Sequence, residues 1–494
     1  MRMKMSYEKK YKPTWNSLKK HRTPEWLDNA KYGIYFHWGI YSVPECGING
    51  SWYGQNMYLK DTKQYKHHVK NFGDPSEFGY KDLIPLFTAE KFDPDNWAKL
   101  FKEAGAKFAG PVCIHHDGFA MWNSKLTKWN AFNMGPKRDI VGEMEQAIRK
   151  QGLRFMVAFH HAENHWFFPH WFEEYDTANP EYSGLYGPIH DQDADPKRKL
   201  LRRWHLQAKP SKEYLDDWKA KIIEVIDNYK PDLIWFDFGL GKIPDKYKKE
   251  MLAYYFNKAE EWGTEVEVTI KNNNIPPSIG IIDYELGSSE KLTHYKWITD
   301  STVDDQGAWS YVKEAGYKSG DMLVHNFVDR ISKHGYLLMN FGPKANGEIP
   351  EPAKNCLLQI GKWLNVNGEA IFNSSPWYAA EEGTTKLITG GMFSESTVTK
   401  YTPEDIRFTV KDNALYAITL GWPGEELKIK TLRSIYRISH NLIIPALDES
   451  DIKSIKMLGV DEELEWTLTE KGLIIRTPKE RPCEHAYTFK ISMA

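Results

Sequence analysis

The chain has 494 residues, which is too long for one compact core, so the sequence predicts at least two domains. Charged residues make up 27 % of the chain and the net charge is −2, which excludes the basic surface of a nucleic-acid-binding protein. No apolar run reaches the roughly 18 residues that a membrane span needs, so no membrane insertion is expected.

Short apolar runs alternate with helical patterns from the start of the chain to about residue 370. Most of the runs are continuously apolar, as expected for strands buried on both faces of a parallel sheet. Helical patterns fall in the gaps between them, at 93–106, 138–152, 211–230 and 320–335. The predicted strands are 33–39, 108–116, 154–161, 232–239, 265–271, 280–285, 296–302 and 336–342.

Eight strands joined by helices predict a (β/α)8 TIM-like barrel as the catalytic domain, over residues 1–372. A doubly wound open sheet is the main alternative, but no GxGxxG motif follows the first strand. The sequence pattern changes after that domain, because the alternation of apolar runs and helical patterns ends. Residues 376–494 contain short β-like segments separated by turn signals, which predicts a C-terminal antiparallel β-sandwich as an accessory domain.

Cysteine is rare: the chain has four, without a CxxC pair, which indicates neither a disulfide framework nor a cysteine-based zinc site. The N-terminus is basic but has no apolar segment, so a signal peptide is not predicted. Together these features favour a reduced, cytoplasmic protein.

Aromatic residues are abundant, with 19 tryptophans and 27 tyrosines. Flat apolar faces beside hydrogen-bond donors suit sugar rings, which present C–H patches and hydroxyl groups together. The same residues also fill large cores, so composition alone leaves both interpretations open.

Polar residues stand at the carboxyl ends of the predicted strands, where barrel enzymes carry their active sites. Five of them are histidines at only three strand ends, which indicates a functional role for at least two. The full set of polar residues at the strand ends is His37, His115, His116, His160, His161, Asp237, Lys271, Glu285, Asp300 and Asn340.

A metal site is one interpretation of the histidines, since three-histidine zinc sites draw ligands from converging strands. However, His115 and His116 are adjacent, and adjacent residues of a strand point to opposite faces. Both can face one site only if the strand is already turning. No HxH or HExxH motif occurs, so a metal-dependent hydrolase stays the second hypothesis.

Two carboxylates support a different chemistry. Asp237 follows an apolar run in WFDFG, and Glu285 stands at a later strand end in DYELG. A charge in such surroundings is costly to bury without a partner or a purpose. Glycoside hydrolysis needs two carboxylates, one to attack or to activate water and one to protonate the leaving oxygen. Their separation decides between retention and inversion of configuration, and the sequence leaves that open.

These segments together resemble the glycoside hydrolase family 29 α-L-fucosidases. The resemblance spans about residues 14–372 and is strongest in five segments that occur in order. They are TPEWLDNAKYGIYFHWGIYSVPE (23–45), SWYGQNMY (51–58), the run 114–143 that begins IHHDGFAMW, YKPDLIWFDFG (229–239), and the closing region 283–351.

The resemblance implies an exo-acting, retaining hydrolase that removes terminal α-L-fucose from glycans or glycosides without a cofactor or metal. Asp237 matches the nucleophile, which forms a covalent fucosyl–enzyme. His37, His115 and His116 match histidines that hydrogen-bond the hydroxyl groups of fucose. Trp52 and Trp235 match aromatic residues of the sugar pocket, and Trp309 matches one near the methyl group of fucose.

The acid/base residue varies more within the family. Many members read DYERG where this chain has DYELG, so the resemblance favours Glu285, with Lys271 nearby and Glu290 as the second candidate. Other members carry a glutamate at the position of Ile298, which removes that candidate.

Ser51 is a second departure, because a glutamate often precedes the aromatic residue at position 52. One polar contact with the sugar is therefore missing or supplied elsewhere. A carbohydrate-binding protein that has lost catalysis is the third hypothesis, although the presence of both Asp237 and Glu285 argues against it. The expected partners are fucosylated oligosaccharides or glycosides, and a homo-oligomer is compatible with the sequence.

Overall fold

Eight parallel strands close into a barrel in the computed structural model of the chain. The structure describes residues 10–190, 209–385, 390–395, 400–435, 437–439, 442–444 and 446–494. The barrel strands are β1 Tyr32–Phe36, β2 Phe108–Ile114, β3 Arg154–Phe159, β4 Leu233–Phe236, β5 Glu267–Ile270, β6 Ile281–Asp283, β7 Trp297–Thr302 and β8 Gly335–Phe341.

Strand order follows the chain, and β8 pairs in parallel with β1, so that Tyr32 lies opposite Leu337. The predicted barrel is therefore confirmed, and the alternative of an open doubly wound sheet is wrong. Nearly every strand residue is buried, which explains the continuous apolar runs. Several strands end before the polar residues that close the predicted runs, and this difference positions the site.

The longer helices cover the outside of the barrel, and several short ones lie in its loops. They are α1 Trp15–Leu18, α2 Glu25–Ala30, α3 Tyr53–Asn56, α4 Lys63–Asn71, α5 Pro94–Glu103, α6 Ile140–Lys150, α7 Asn164–Phe167, α8 Ser183–Tyr186, α9 Lys212–Tyr229, α10 Asp245–Trp262, α11 Gly320–Ser332 and α12 Glu351–Asn367. Side-chain caps start the predicted helices: Asp93 accepts from the backbone N–H of Asn96 at 3.1 Å, and Ser211 accepts from that of Tyr214 at 3.2 Å.

The C-terminal part forms antiparallel sheets: a five-stranded sheet of order β15-β18-β11-β10-β9, a three-stranded sheet of order β12-β17-β16, and the pair β13-β14. Their strands are β9 Ser375–Glu382, β10 Ile406–Lys411, β11 Ala414–Thr419, β12 Glu426–Ile429, β13 Arg437–Ser439, β14 Leu442–Ile444, β15 Ile452–Met457, β16 Trp466–Thr469, β17 Gly472–Arg476 and β18 Tyr487–Met493.

The two larger sheets pack face to face around a shared apolar core, as the predicted β-sandwich requires. Phe408 and Phe489 from the larger sheet belong to the same cluster as Ile429 and Leu473 from the smaller one. Strand β9 was not predicted, because its residues are mostly half exposed and Pro376 near its start is typical of a linker. The domain division between 372 and 376 stays a prediction.

Buried ion pairs connect the barrel to this sandwich. Asp329 on α11 accepts from Arg407 Nε on β10 at 2.6 Å and also contacts Lys333 at 3.0 Å. Glu395, which follows β9 in the chain, is buried against Lys318 and Arg330 of the barrel, at 3.1 Å and 3.4 Å. In the part of the chain that the structure describes, no helix is both long and apolar enough to cross a membrane.

Candidate active site

A pocket of about 180 Å³ opens at the carboxyl ends of the barrel strands. All nine residues predicted for the site line it: His37, Trp52, His115, His116, Trp235, Asp237, Lys271, Glu285 and Trp309. Six further residues line it as well: Asn49, Ser51, His160, Phe238, Asp300 and Phe393. Segments that are distant in sequence therefore meet in one place, as the barrel topology requires.

Early strand endings bring several histidines into the pocket. Strand β2 ends at Ile114, so His115 and His116 lie in the turn that follows it and both reach the same site. His160 likewise follows the end of β3 and lines the pocket. His161 begins a short 3-10 helix instead, and its ring contacts the backbone oxygen of Trp218 on α9. Four of the five strand-end histidines therefore belong to the site.

In His37 and His160, the hydrogen bond made by Nδ1 determines whether Nε2 can accept a hydrogen bond from a ligand. His37 Nδ1 lies 2.8 Å from Asn340 Oδ1, while the Asn340 amide nitrogen donates to the Trp309 backbone oxygen at 2.7 Å. The oxygen of Asn340 is thus an acceptor, so His37 Nδ1 donates and Nε2 carries the lone pair. His160 Nδ1 lies 2.8 Å from Asp237 Oδ2, which leaves its Nε2 as an acceptor in the same way.

Burial keeps most of these imidazoles neutral. It lowers the pKa of His37 and of His115 well below the usual value and that of His160 to about 4. Burial also opposes the charge on His116, but its hydrogen bond to Asp237 and the charge of Glu163 outweigh it and raise the pKa. The pocket thus presents neutral, hydrogen-bonding imidazoles beside one that favours the charged form.

Asp237 lies just past the end of β4, and donors surround it. Its Oδ2 contacts His160 Nδ1 at 2.8 Å and His116 Nε2 at 3.3 Å, and its Oδ1 contacts Lys271 Nζ at 3.2 Å. Burial alone would raise the pKa of this carboxyl, but Lys271 and the two histidines hold it well below the usual value. Asp237 is therefore an ionised carboxylate in the pocket.

Lys271 follows β5 and is the central cation of the pocket. Its Nζ contacts Asp237, Glu285 and Asp300, the last at 3.3 Å. Asp283 lies in the next layer, where it accepts from the Asp300 backbone N–H at 3.0 Å. Burial lowers the pKa of Lys271, but the surrounding carboxylates outweigh it and raise the pKa well above the usual value.

Glu285 differs from Asp237 although both contact the same ammonium. Burial raises its pKa to about 7, and the negative charges of Asp300 and Asp237 add to this, against the opposing effect of Lys271. Burial also raises the pKa of Asp300 well above the usual value and that of Asp283 to about 6. Four carboxyl groups around one lysine cannot all be ionised at low cost, so Glu285 holds a proton up to about pH 7.

Aromatic rings form the walls of the pocket. Trp235 places its ring 4.7 Å from Lys271 Nζ and 5.0 Å from the ring of His160. Trp52 lies 4.9 Å from His116 on another side, and Trp309 lies 5.4 Å from His37, both between ring centroids. Flat apolar faces therefore stand between the hydrogen-bonding groups.

Some pocket residues were not predicted for the site. His160 and Asp300 stand at predicted strand ends, and that position was the signal that could have identified them. Asn49 also lines the pocket, where its Oδ1 accepts from Ser51 Oγ at 3.0 Å. Phe393 comes from beyond the barrel and has no sequence signal.

Glu290, the second acid/base candidate, is exposed, and its carboxylate accepts from the Gly390 backbone N–H at 2.8 Å. It therefore lies apart from the groups that surround Lys271.

The metal hypothesis has a geometric basis in the histidines. One nitrogen each of His37, His115 and His160 lies within 4.8 Å of the others, and His116, His160 and Asp237 form a second such group. His115 Nδ1 and His160 Nε2 are buried without a hydrogen-bond partner among the described residues. These atoms can receive either the hydroxyl protons of a sugar or a metal ion.

A barrel with two carboxylates of opposed protonation in one polar, aromatic pocket has the equipment of a glycoside hydrolase. The family profile for alpha-L-fucosidase matches residues 2–369, and the profile for the alpha-L-fucosidase C-terminal domain matches residues 399–492. The chain belongs to the alpha-L-fucosidase family, so the resemblance predicted from the five sequence segments is confirmed.

Relatives named alpha-L-fucosidase match along nearly the whole chain. Tissue alpha-L-fucosidase of Bos taurus is 30 % identical over 510 residues, covering 98 % of this chain and 91 % of the relative. Plasma alpha-L-fucosidase of Homo sapiens is 30 % identical over 505 residues, covering 98 % and 92 %. The crystal structure of Thermotoga maritima alpha-fucosidase in complex with fucose is 31 % identical and has a TM-score of 0.75, with 97 % of this chain and 100 % of that chain covered.

Proposed function

We propose that this protein is an exo-acting, retaining α-L-fucosidase that releases terminal α-L-fucose from oligosaccharides or glycosides. Asp237 is the nucleophile and Glu285 is the general acid/base. The observation that carries this proposal is the contrast between the two carboxyls, since both contact Lys271 but only Glu285 has a raised pKa. Paired carboxyls whose environments separate their pKa values are typical of acid and nucleophile pairs.

The first step breaks the glycosidic bond. An oxygen of Asp237 attacks the anomeric carbon, the bond to the leaving oxygen breaks, and the proton of Glu285 passes to that oxygen. In the second step water attacks the same carbon, Glu285 takes the proton of the water, and the bond to Asp237 breaks. Two inversions return the original α configuration, and Glu285 ends protonated again.

Proximity of the two carboxylates supports retention. One oxygen of Asp237 and one oxygen of Glu285 both contact Lys271 Nζ. The distance between these two oxygens is therefore at most the sum of the two contact distances. Retaining enzymes place the two groups about 5–5.5 Å apart, whereas inverting enzymes leave roughly 6.5–9.5 Å for a water molecule.

Recognition of fucose follows from the lone pairs and the rings. His37 and His160 offer Nε2 acceptors to sugar hydroxyls, whereas His116 donates to the His160 backbone oxygen at 2.9 Å and contacts Asp237 at 3.3 Å, so it orients the nucleophile. Trp309 supplies an apolar wall for the methyl group that fucose carries in place of a hydroxymethyl.

The test is hydrolysis of 4-nitrophenyl α-L-fucoside, followed by proton NMR during the first minutes. We expect α-L-fucose to appear first and β-L-fucose to accumulate only by mutarotation. Initial release of β-L-fucose would contradict retention. Binding of fucose without any release of nitrophenol would instead favour a protein that has lost catalysis.

We also propose a reducing, cytoplasmic location, because all four cysteines are free thiols and three of them are buried. Fractionation of the source cells with an antibody against the protein tests this. Activity found mainly outside the cytoplasm would contradict it.

A further inference from the structure

The short segment 390–395, which we call the strap, lies beyond the barrel in sequence but is bonded to the loop that carries Glu285. The Phe393 backbone N–H donates to the backbone carbonyl oxygen of Glu285 at 2.7 Å, and that of Glu395 donates to the backbone carbonyl oxygen of Leu286 at 2.8 Å. The Gly391 N–H donates to the Ser288 oxygen at 2.8 Å. The strap therefore lies alongside the acid/base loop, with Gly391 in an isolated bridge to Ser288 and a turn after it.

Glu395 fixes one end of the strap in the protein interior. Its carboxylate contacts Lys318 at 3.1 Å and Arg330 at 3.4 Å, and it accepts from Ser301 Oγ at 2.9 Å. A buried carboxylate is stable only when it is paired in this way. The backbone of the strap is thus held in place by groups that lie outside the pocket.

Phe393 stands in the turn that forms the middle of the strap. Its φ is +58°, a left-handed value that is uncommon for a bulky residue. Its side chain lines the pocket, yet the residue is 55 % exposed, so it gains little from burial. A left-handed φ at a bulky residue beside a pocket supports the hypothesis of a ligand contact.

The position of Phe393 relative to Glu285 indicates which part of the substrate it meets. A general acid must lie within hydrogen-bond reach of the oxygen that leaves. The group attached to that oxygen therefore passes beside Glu285. Phe393 is bonded through its backbone to the same residue and lines the same pocket, so its ring lies on the leaving-group side.

We propose that Phe393 is the platform on which the first sugar ring of the leaving group stacks, which makes the strap part of the site for the aglycone. This inference rests on the proposed function and on Glu285 as the acid. The ligand that the platform takes is a pyranose ring that presents an apolar C–H face to the aromatic ring.

The test compares two substrates that need the same acid but differ in the size of the leaving group. One is an α-L-fucosyl-galactoside, and the other is methyl α-L-fucoside, whose leaving group has no ring. Phe393→Ala should lower kcat/KM for the disaccharide about 3- to 10-fold, the size of an aromatic stacking contact. It should change kcat/KM for the methyl fucoside less than twofold, and Phe393→Trp should restore the disaccharide rate.

Tyr378→Ala is the matched control, because Tyr378 is an aromatic residue of β9 that is also 55 % exposed. It should leave both substrates unchanged. An equal fall on both substrates in Phe393→Ala would show that Phe393 acts through the placement of Glu285, and unchanged rates on both would show that it contacts no leaving group. Either result overturns the proposal. If the wild-type protein hydrolyses neither substrate, the proposed function itself fails.

Discussion

Two clusters of buried charges in this protein are built in opposite ways. At the barrel mouth, Lys271 is surrounded by Asp237, Glu285 and Asp300, with Asp283 in the next layer. At the junction with the sandwich, the counts of positive and negative groups nearly match. There Asp329, Glu381 and Glu395 are paired with Lys318, Arg330, Lys333 and Arg407.

The pKa values separate in the first cluster and not in the second. At the mouth, the pKa of Glu285 rises to about 7 by burial while that of Asp237 falls well below the usual value. At the junction, burial opposes the charges on Asp329 and Glu395, but their cationic partners lower both pKa values to about 2. A matched cluster holds the fold together, whereas an excess of carboxyls keeps one of them protonated for chemistry.

Removal of the nucleophile should have the largest effect on catalysis and little effect on folding. Asp237→Asn should lower kcat on 4-nitrophenyl α-L-fucoside by roughly 10³-fold or more, because no covalent intermediate can form. The thermal unfolding midpoint should show that the variant still folds.

Asp232 provides the control at the other end of β4, where it contacts Arg149 at 2.9 Å and Arg154 at 3.0 Å. Asp232→Asn should lower stability and leave kcat of the folded protein unchanged. An Asp237→Asn variant that keeps more than a tenth of the activity would exclude Asp237 as the nucleophile.

Loss of the acid should depend on the leaving group. Glu285→Ala should lower kcat/KM by about 10²- to 10⁴-fold for fucosyl disaccharides, whose leaving oxygen needs a proton. It should lower kcat/KM much less for α-L-fucosyl fluoride, and added azide should restore turnover and give α-fucosyl azide. Glu290→Ala is the control, since that exposed carboxylate accepts from the Gly390 N–H. If Glu290→Ala shows this pattern instead, the acid is misassigned.

Much of the fold could be predicted because buried parallel strands have a simple signature. All eight barrel strands appear as apolar runs in the sequence, and Asp93 and Ser211 begin helices as their capping preference indicates. Most strand ends were placed too late, since apolar character does not reveal where pairing stops; the end of β7 at Thr302 was placed correctly. Strand β9 was missed because half-exposed residues leave no clear period.

The site could be predicted only where a residue stands at a strand end or matches the family. Asp237 and Glu285 satisfy both conditions, and the pocket contains them. Phe393 satisfies neither, because its place depends on a backbone hydrogen bond to Glu285, which lies more than 100 positions away in the sequence. Protonation states were also out of reach, since they depend on the distances of several charges from Lys271.

Substitution of a charged residue at the junction should lower the free energy of unfolding and leave catalysis nearly unchanged. Arg407→Met leaves the buried Asp329 carboxylate with only part of its compensation, so we expect a loss of about 3–5 kcal/mol in the free energy of unfolding. Urea unfolding measures this loss, and kcat below the transition should stay within about twofold of the wild type.

Arg476→Met removes an ion pair with Glu465 whose side chains are 70 % and 80 % exposed, and should cost less than about 1 kcal/mol. Equal losses in the two variants would mean that the junction pairs carry no special weight.

The mouth cluster should make activity fall at alkaline pH, and the junction cluster should make stability fall at acid pH. Glu285 loses its proton above about pH 7, so kcat/KM should fall about tenfold per pH unit beyond that point. Glu395 has a folded pKa of about 2 against an ordinary 4.5, so its contribution to stability is complete above about pH 4.5 and is lost as the pH falls toward 2.

The alkaline limb is the fall in kcat/KM above about pH 7, which a pH–rate profile measures. The acid loss of stability is measured by unfolding at decreasing pH, followed by circular dichroism. Glu285→Gln should remove the alkaline limb, and Glu395→Gln should weaken the acid dependence of stability. An alkaline limb that survives in Glu285→Gln would assign it to another group.

The smallest expected effect is that of a chelator. His37, His115 and His160 bring nitrogen lone pairs close enough for a metal ion, so the pocket geometry alone permits the metal hypothesis. The double displacement nevertheless draws its nucleophile and its proton from Asp237 and Glu285, and neither step needs a Lewis acid. Dialysis against EDTA should therefore leave kcat/KM within experimental error of the untreated enzyme. Loss of activity that returns with stoichiometric zinc would move the chemistry from the carboxylates to the histidines.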